Sequence, residues 1–424
     1  MSELLDLFAE KELVLAQGCT EPGAVAFAVA AAAEHSRGEL KKIKIKIDGF
    51  VYKNGMSTGL PGINKYYGNK TAAALGYFAD KPLARKLTIL ADLEDKLDQA
   101  LGIIERVEFE VLEEKMPVYV EAIIEADNQV CSLIKGSHDD LKKITVDGKI
   151  VYQNQSKISA DQQLKNLNAQ LKTMNIYQLI ELVEKEFSDR QLQLLKDGLK
   201  LNSVIARAGR EGVGSEVGVK YRKRTDFNEL NEIAAKAADG TGARMAGAAS
   251  PALASSGSGN QGIFISLVTY HSARHYFNIS DKEIFKATMI AHLVGHYAKI
   301  YLGRLSALCG LFYAAAPGVL AALLYLAGKE DKIEEAINNL ISDTSGVYCD
   351  GAKGSCALKS LTAAELALRH FDLIMQDLNC HLPSGFINCS LSKTFENLAA
   401  ISRPSENTVN NTLFKVVEKN ACEI

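Results

Sequence analysis

The sequence lacks a marked excess of acidic or basic residues. Its 424 residues include 48 lysines and arginines against 51 aspartates and glutamates, which gives a formal net charge of −3. Proteins that bind nucleic acid usually concentrate basic residues on one face. Here the densest basic cluster is the short segment 220–224, which is typical of a solvated loop. We therefore expect no nucleic-acid partner.

A targeting segment is also lacking. The chain opens on Met-Ser-Glu-Leu-Leu-Asp, without the basic region that begins a secretory signal, so we expect a cytoplasmic protein. One apolar run, residues 305–328, is long enough to cross a bilayer. Because it contains Pro317 and many small residues, we interpret it as a buried helix and expect no membrane partner. A membrane carrier is the alternative.

Tight cysteine pairs are absent, although the sequence has eight cysteines spread along its length. In a reducing compartment such cysteines are more often buried, metal-binding or catalytic than disulfide-bonded. Cys309, Cys349 and Cys356 each lie in a small-residue turn before an apolar helix, separated by 39 and then six residues. This spacing is too wide for a zinc ribbon, and three thiolates would suit a cluster with one iron left open. We expect four of the remaining cysteines to bind no metal: Cys131, Cys380, Cys389 and Cys422.

Hydrophobic periodicity predicts an α+β fold. Helical spacing in residues 3–15 and 23–35 precedes a mixed region, residues 40–153, with a mainly antiparallel sheet. From about residue 158 the pattern is helical, so we predict an N-terminal α+β domain, residues 1–156, and an all-α catalytic domain, residues 157–424. The predicted strands are 40–54 with a turn at 48–49, 107–112, 118–126, 130–135 and 144–152. The other predicted helices are 71–78, 87–101, 158–186, 188–200, 228–238, 282–301, 333–341, 360–375 and 408–419.

The segment 346–359 contains two of the three grouped cysteines in a glycine-rich turn. Glycines allow backbone N–H groups to approach an anionic object closely. Cys356 lies near the start of a predicted helix, a position that favours a thiolate. Lys353 and Lys359 are candidates either for proton transfer or, as we favour, for balancing the charge of an anionic cluster.

Residues 18–22, Gly-Cys-Thr-Glu-Pro, precede the second helix. Thr20 suits an N-cap, and Pro22 suits the first helical turn. A cysteine at this position is stabilised as a thiolate, so Cys19 is a candidate catalytic residue. The structural alternative is a small hydrophobe in a core turn.

Two further loops are candidates for substrate contacts. Residues 257–262 match GxGxxG, but without a preceding strand they are a weak dinucleotide fingerprint. We interpret this loop as a carboxylate-binding nest at a helix N-terminus, or else as a structural turn; its polar residues are Ser256, Ser258, Asn260 and Gln261. The glycine-rich loop from Asn54 to Asn64 is a candidate to cover the substrate, or a plain connection.

His292 and His296 lie four residues apart on one predicted helix. The spacing is that of a zinc pair, but no glutamate follows His292 and no third ligand is suggested. We expect packed or proton-handling histidines.

Four motifs, in this order, together resemble the L-cysteine desulfidase family, which is related to the iron–sulfur L-serine dehydratase alpha chain: residues 18–22, 256–262, 303–309 and 349–359. The resemblance covers nearly the whole chain. It implies an oxygen-sensitive four-iron, four-sulfur (4Fe-4S) cluster held by Cys309, Cys349 and Cys356, and no pyridoxal phosphate. Cys19 is then either a replaceable fourth ligand or the catalytic acid/base.

The resemblance implies elimination of sulfide from L-cysteine, with the open iron as Lewis acid, to give pyruvate, ammonia and hydrogen sulfide. Candidates for the base are Cys19 as a thiolate, then Lys353 or Lys359 if desolvated. The alternatives are L-serine dehydration on the same cluster and a non-catalytic iron–sulfur sensor. The expected partners are a small amino-acid substrate and, because so much of the chain is apolar helix, a second copy in a homodimer.

Overall fold

Two large clusters of buried side chains organise the fold. The structure is a computed structural model that describes residues 4–112, 118–154, 160–378, 385–402, 412 and 416. One cluster joins the sheet to the helices packed on it, and the other joins the C-terminal helices to the first helix of the chain. The predicted α+β class is confirmed.

A six-stranded mixed sheet forms the frame of the first cluster. Its strands are β2 Lys42–Asp48, β5 Val107–Leu112, β6 Tyr119–Glu125, β7 Gln129–Lys135, β8 Leu141–Val146 and β9 Lys149–Gln153. Their order is β5-β2-β6-β7-β8-β9, with β2–β5 parallel and every other pair antiparallel. Ile43, Ile45 and Ile47 alternate with lysines and are fully buried, so one face of β2 faces the core.

The N-terminal helices cover this sheet and connect it to the helical part. They are α1 Leu4–Glu12, α2 Thr20–Ala33, α3 Gly49–Gly55, α4 Gly68–Tyr77, α5 Pro82–Arg85 and α6 Leu97–Ile103. Short strand pairs complete this part: β1 Leu15–Ala16 with β10 Ala252–Leu253, and β3 Gly59–Leu60 with β4 Ile63–Tyr67. Leu5 and Phe8 of α1 are fully buried in the helical cluster. The domain division at residue 156 stays a prediction.

Two predicted elements in this region are wrong. The strand expected at 40–54 ends at Asp48, because the Asp48 carboxylate accepts the N–H groups of Phe50 and Val51 and thereby begins α3. The helix expected at 87–101 is replaced by two short 3-10 turns before α6.

The C-terminal helices form a bundle around the second cluster. Their bounds are α7 Ala160–Lys172, α8 Ile176–Glu186, α9 Asp189–Arg210, α10 Val217–Tyr221, α11 Glu229–Met245, α12 Gly259–Tyr276, α13 Asp281–Leu302, α14 Ala316–Leu326, α15 Ile333–Asp343 and α16 Cys356–Met375. The helix expected at 158–186 is divided in two, since Asn175 makes a capping box with Gln178 and starts α8. The helix expected at 408–419 lies outside the described residues.

The apolar run 305–328 is not one continuous helix. Residues 303–309 are irregular, Leu311–Ala315 form a π-helical turn, and α14 follows with Pro317 in its first turn. Residues 319–324 are fully buried, so the interpretation as a buried helix is confirmed. Within the described ranges, no helix combines the length and apolar character needed to cross a bilayer.

Asp48 is the first residue for which we predict an effect of substitution. It is fully buried, and besides capping α3 its Oδ2 accepts the N–H of Tyr119 at 2.7 Å, which ties α3 to β6. We expect Asp48→Ala to lower the free energy of unfolding by about 2–4 kcal/mol, since three buried N–H groups lose their acceptor. Asp48→Asn keeps an oxygen for the cap and should lose roughly half as much. Urea unfolding of both variants measures this, and equal losses would contradict the role of the cap.

Candidate active site

One cavity, lined by buried and half-buried residues, collects residues from both parts of the chain. It lies where the start of α2, the end of α3, the end of α11 and the start of α12 meet the segments 304–311 and 349–356. Its volume is about 110 Å³, below the roughly 300–1,000 Å³ of pockets for drug-sized ligands. We refer to it as the cysteine cavity, because Cys19, Cys309, Cys349 and Cys356 all line it.

Backbone hydrogen bonds hold two of these cysteines together. The N–H of Cys349 donates to the carbonyl of Ala307 at 2.8 Å, and that of Cys309 donates to the carbonyl of Val347 at 3.0 Å. The two segments thus form a short antiparallel bridge, although they are 40 positions apart in the sequence. Cys356 is the first residue of α16, and its thiol reaches back to the carbonyl of Gly351 at 3.7 Å.

The prediction that Cys356 is a thiolate is wrong for the protein chain alone. Burial raises its pKa, and the charge of Cys349 adds to this. For Cys309, burial is again the first cause and the neighbouring Cys349 the second, and together they raise the pKa to about 12. The three cysteines line the same cavity, and the charge of Cys349 acts on both of the others.

The donor set fits an iron–sulfur cluster better than a single ion. Across the described residues, no group of three or more histidine, cysteine, aspartate or glutamate side chains could hold a single metal ion. In a cluster each thiolate binds a different iron, so its ligands stand further apart. Three thiols that line one cavity and influence one another electrostatically fit such a group, and metal binding would displace their protons.

The charged residues of the segment 346–359 form ion pairs beside the cysteines and leave a net charge of +1. Asp350 forms ion pairs with Lys353 and with Lys359, the latter at 2.7 Å. Burial would raise the pKa of Asp350, but the hydrogen bonds from both lysines lower it to about 2. Lys353 does not line the cysteine cavity, so its position favours charge balance over the predicted catalytic role.

Lys53, which the sequence analysis did not identify, ties this turn to the N-terminal part. It lies on α3, is 2% exposed, and donates from Nζ to the carbonyl of Cys349 at 2.8 Å. Burial lowers its pKa, and the charges of Cys349 and Asp350 oppose that effect.

Cys19 is at the N-cap of α2, which begins at Thr20, three residues before the predicted start. Its thiol donates to Oε2 of Glu21 at 2.9 Å, and Oε1 of Glu21 accepts Nδ2 of Asn54 at 3.2 Å. All three residues are buried and line the cavity. Among the described side chains of the predicted covering loop 54–64, Asn54 alone lines the cavity.

The prediction of a Cys19 thiolate is wrong for the protein by itself. Burial raises its pKa well above the usual value, and the charge of Glu21 raises it further. Burial also acts to raise the pKa of Glu21, but the charge of His138 and hydrogen bonds from three side chains outweigh it and lower that pKa. The arrangement is therefore a neutral thiol beside an ionised carboxylate.

Part of the segment 256–262, which we predict to be a carboxylate-binding nest, forms a wall of the cysteine cavity. Ser258 is the N-cap of α12, and Ser258, Asn260 and Gln261 line the cysteine cavity. Ser256 does not, because its hydroxyl bonds to Nδ1 of His296 at 3.0 Å. The first N–H groups of α12 therefore face the cavity together with two amide side chains.

Arg244, near the end of α11, is the main residue that the sequence analysis missed. It is 5% exposed and donates to Oδ1 of Asn260 at 2.9 Å and to the carbonyl of Gly18 at 2.5 Å. Its Nε has no hydrogen-bond partner among the described residues, and it pairs with no described carboxylate. The sequence did contain a signal for Arg244, namely a charged residue inside the small-residue run 239–248. Buried cations usually have an anionic partner, so such a residue is a candidate to bind an anion.

The histidine pair on α13 is packed rather than metal-binding. Nδ1 of His292 bonds to Ser255 at 2.9 Å, and Nε2 of His296 bonds to Asn168 at 2.8 Å. Burial lowers the pKa of each imidazole to about 3, so both are neutral near pH 7.

The structure describes two of the remaining cysteines, and neither of them lines the cavity. Cys131 is half-buried in β7 and Cys389 is exposed. Cys380 and Cys422 lie outside the described residues.

Comparisons with known proteins give one consistent family. The serine dehydratase alpha chain family matches residues 105–413, a range that includes Arg244, Cys309, Cys349 and Cys356. A UPF0597 protein of Clostridium perfringens is 32% identical over 428 residues, covering 98% of this chain and 98% of the relative. One from Clostridioides difficile is 33% identical over 407 residues, covering 92% and 93%. One from Geobacter sulfurreducens is 31% identical over 420 residues, covering 96% of each.

Proposed function

Because the chain belongs to the serine dehydratase alpha chain family, we propose that it is an iron–sulfur-dependent lyase that eliminates sulfide from L-cysteine. The family indicates a lyase of the serine dehydratase type, and the choice of L-cysteine rests on the four desulfidase-like motifs. One observation carries the proposal. Three cysteines, an arginine that pairs with no carboxylate among the described residues and the N-terminus of α12 meet in one small cavity.

The proposed cluster ligands are Cys309, Cys349 and Cys356. When bound there, a 4Fe-4S cluster supplies an open iron that acts as a Lewis acid on the departing β-substituent. Lys359 keeps a positive charge close to these thiolates: burial lowers its pKa, but the Asp350 carboxylate and the cysteines outweigh that and raise it. This charge offsets part of the cost of burying an anionic group.

The proposed site for the substrate carboxylate is formed by Arg244 and the first turn of α12. Nε of Arg244 is buried and has no described partner. A carboxylate would therefore give this donor an acceptor and would lie against the positive end of the helix. Asn260 already bonds to Arg244 and so orients the guanidinium.

Cys19 and Glu21 form the proposed acid–base unit. The ionised Glu21 can accept a proton and the Cys19 thiol can donate one, across a hydrogen bond of 2.9 Å. The balanced reaction needs both roles, since the α-proton leaves carbon and the departing sulfide takes up protons. Aminoacrylate is released, tautomerises to the imine and takes up water to give pyruvate and ammonia. No pyridoxal phosphate is needed in this scheme.

L-serine dehydration is the second candidate, and the family description favours it. Sulfide and hydroxide leave from the same carbon, so the same residues serve either reaction. Relative kcat/KM for L-cysteine and L-serine distinguishes them, whereas inertness toward both in cluster-loaded protein would favour the sensor alternative. The homodimer and the cytoplasmic location remain predictions.

The direct test is anaerobic purification followed by iron, acid-labile sulfide and pyruvate assays. We expect a brown protein with about 4 iron atoms per chain, as the 4Fe-4S composition requires, and sulfide and pyruvate released in equal amounts from L-cysteine. A colourless, iron-free preparation that still releases sulfide would overturn the mechanism.

Substitution of Arg244 tests the carboxylate site. We expect Arg244→Met to lower kcat/KM for L-cysteine by about 150- to 5,000-fold, since loss of a buried charged partner costs about 3–5 kcal/mol. The matched control, Arg224→Met, removes an arginine paired with exposed Asp226 and should stay within about twofold. The Ki of cysteamine, which has no carboxylate, should not change in Arg244→Met. An equal weakening of cysteamine would indicate a structural role instead.

A further inference from the structure

Asn54 has a buried oxygen atom that no described donor reaches. Asn54 is 9% exposed and lines the cysteine cavity, and its Oδ1 has no hydrogen-bond partner among the described residues. Burying an acceptor without a donor destabilises a protein, so buried polar atoms are nearly always paired. An unpaired one in the wall of a site is therefore a candidate to bind a ligand. A ligand that brings an N–H group would satisfy this oxygen.

The other end of the same amide determines which way the oxygen points. Nδ2 of Asn54 donates to Oε1 of Glu21 at 3.2 Å. Because an ionised carboxylate only accepts hydrogen bonds, Glu21 selects the NH2 side of the amide and turns Oδ1 away from itself. Oε2 of Glu21 accepts from Cys19 at 2.9 Å and from Thr20 at 3.0 Å. Both oxygens of Glu21 thus have donors within the described part of the chain, and Oδ1 of Asn54 has none there.

The end of α3 is held in place on both sides of Asn54. Nζ of Lys53 donates to the carbonyl of Cys349 at 2.8 Å. Gly55 packs so closely on Asn69 that a Cβ at Gly55 would lie 1.9 Å from Oδ1 of Asn69. Since both of its neighbours are fixed, Asn54 presents its oxygen at a preset position, as a binding residue must.

The charges of the cavity favour a cationic group beside Asn54. Apart from the cysteines, Glu21 is the one acidic side chain among the described residues that line the cavity. The lining also includes three cationic side chains: Arg244, Lys299 and Arg304. An ammonium group is repelled by these cations and attracted to Glu21. The ammonium group of an amino acid would therefore come to the side of the cavity where Asn54 bonds to Glu21.

One chain of contacts links this oxygen to the proposed carboxylate site. Arg244 donates to the carbonyl of Gly18, the residue before Cys19. The Cys19 thiol and the Asn54 amide donate to the two oxygens of Glu21. Arg244 and Asn54 thus stand at the two ends of this chain, with Cys19 in the middle. Because an α-amino acid carries its two charged groups on one carbon, binding both ends would bring that carbon to Cys19.

We propose that Oδ1 of Asn54 accepts a hydrogen bond from the α-ammonium group of the substrate and thereby makes the site specific for α-amino acids. The identity of the substrate rests on the proposed function, whereas the ammonium site itself does not. A neutral amide oxygen holds an ammonium group without taking its proton, so Glu21 stays available for the α-proton. An analogue without the amino group leaves Oδ1 unpaired, and the site discriminates against it.

The test measures binding of two thiols that each lack one charged group of L-cysteine. Cysteamine keeps the ammonium group and β-mercaptopropionate keeps the carboxylate. Their Kd values are measured by anaerobic isothermal titration calorimetry with cluster-loaded protein. Asn54→Leu removes the whole amide. Asn54→Asp keeps an oxygen in the same place but loses the amide donor to Glu21, so the two variants separate binding of the ligand from support of Glu21.

We expect Asn54→Leu to weaken cysteamine by about 10- to 100-fold, since a charged ligand group loses one hydrogen-bond partner. Its Kd for β-mercaptopropionate should not change. Asn54→Asp should bind cysteamine at least as tightly as the wild type, because its oxygen remains and gains negative charge. Equal weakening of cysteamine in both variants would assign Asn54 a structural role through Glu21 and overturn the proposal, and so would an unchanged Kd in Asn54→Leu.

Asn338→Leu is the matched control. Asn338 is 1% exposed and resembles Asn54, since its Nδ2 donates to one acceptor, the carbonyl of Asn388 at 2.8 Å, and its Oδ1 has no described partner. It does not line the cysteine cavity, so both Kd values should stay at the wild-type level. Arg244→Met should show the opposite pattern to Asn54→Leu, with β-mercaptopropionate weakened and cysteamine unchanged.

A comparison within the wild-type protein needs no folded variant. L-alanine should bind about tenfold or more tightly than propionate, which lacks only the amino group. Equal Kd values for these two ligands, or no binding of cysteamine, would overturn the proposal. If the wild-type protein shows this preference but releases no sulfide from L-cysteine, the proposed function fails and the ammonium site stands.

Discussion

Cys349→Ala is expected to lose both the iron–sulfur cluster and all measurable turnover. A cluster held by three thiolates is lost with one of them unless another thiol takes its place. Besides the three ligands, Cys19 is the only described cysteine that lines the cavity, and its thiol is hydrogen-bonded to Glu21. The bond from the backbone of Cys349 to Ala307 remains in this variant, so the turn should keep its shape. Visible absorbance, iron content and sulfide release, all measured anaerobically, report the loss.

Cys131→Ala provides the matched control. Cys131 is a half-buried thiol in β7 and does not line the cavity, so its removal should leave iron content and turnover unchanged. Thermal unfolding of both cluster-free variants shows whether either substitution damages the fold. A Cys349→Ala protein that retains four irons and its activity would remove Cys349 from the ligand set.

Cys19→Ala is expected to abolish turnover while the cluster remains. Removal of a positioned acid or base typically costs about 10²–10⁴ in rate, and Glu21 would lose the thiol that donates to it. The fall should appear in kcat, since the carboxylate site at Arg244 is intact. Single-turnover sulfide release in cluster-loaded protein measures it.

The same variant distinguishes the two roles left open for Cys19. If it is a fourth ligand, the electron paramagnetic resonance and visible spectra of the substrate-free cluster should change in Cys19→Ala. If it is an acid–base residue, those spectra should match the wild type. Full activity in Cys19→Ala would exclude it from the site, and Cys389→Ala, which removes an exposed thiol, controls for general thiol loss.

The sequence contained enough local information to predict most strands and to group three cysteines. Strand prediction succeeded where alternation is strict, as at Ile43, Ile45 and Ile47. Strand prediction failed after residues 48–49, because an aspartate followed by a glycine is typical both of a turn and of a helix start. The last turns of α11 lie in the small-residue run 239–248 and were not predicted, because glycine has a low helix propensity. Packing stabilises the helix there in spite of that propensity.

The charge state of the cysteines shows why local reasoning failed at the site. A helix N-terminus contributes about 0.3–1 kcal/mol, less than the 1.36 kcal/mol that one pKa unit represents. Full burial shifts a pKa by up to about 3–5 units in the opposite direction. Desolvation therefore prevails at Cys19 and Cys309, and its extent depends on residues far away in the chain.

By itself, the sequence determined the α+β class, the buried nature of residues 305–328 and the candidate ligands Cys309, Cys349 and Cys356, because periodicity and small-residue turns are local properties. Only the tertiary structure decided which charges lie in or beside the cavity. Arg244 lines it, Lys53 donates to the carbonyl of Cys349 at 2.8 Å, and the charge of His138 lowers the pKa of Glu21. Such distances are set by packing, which no spacing along the chain encodes.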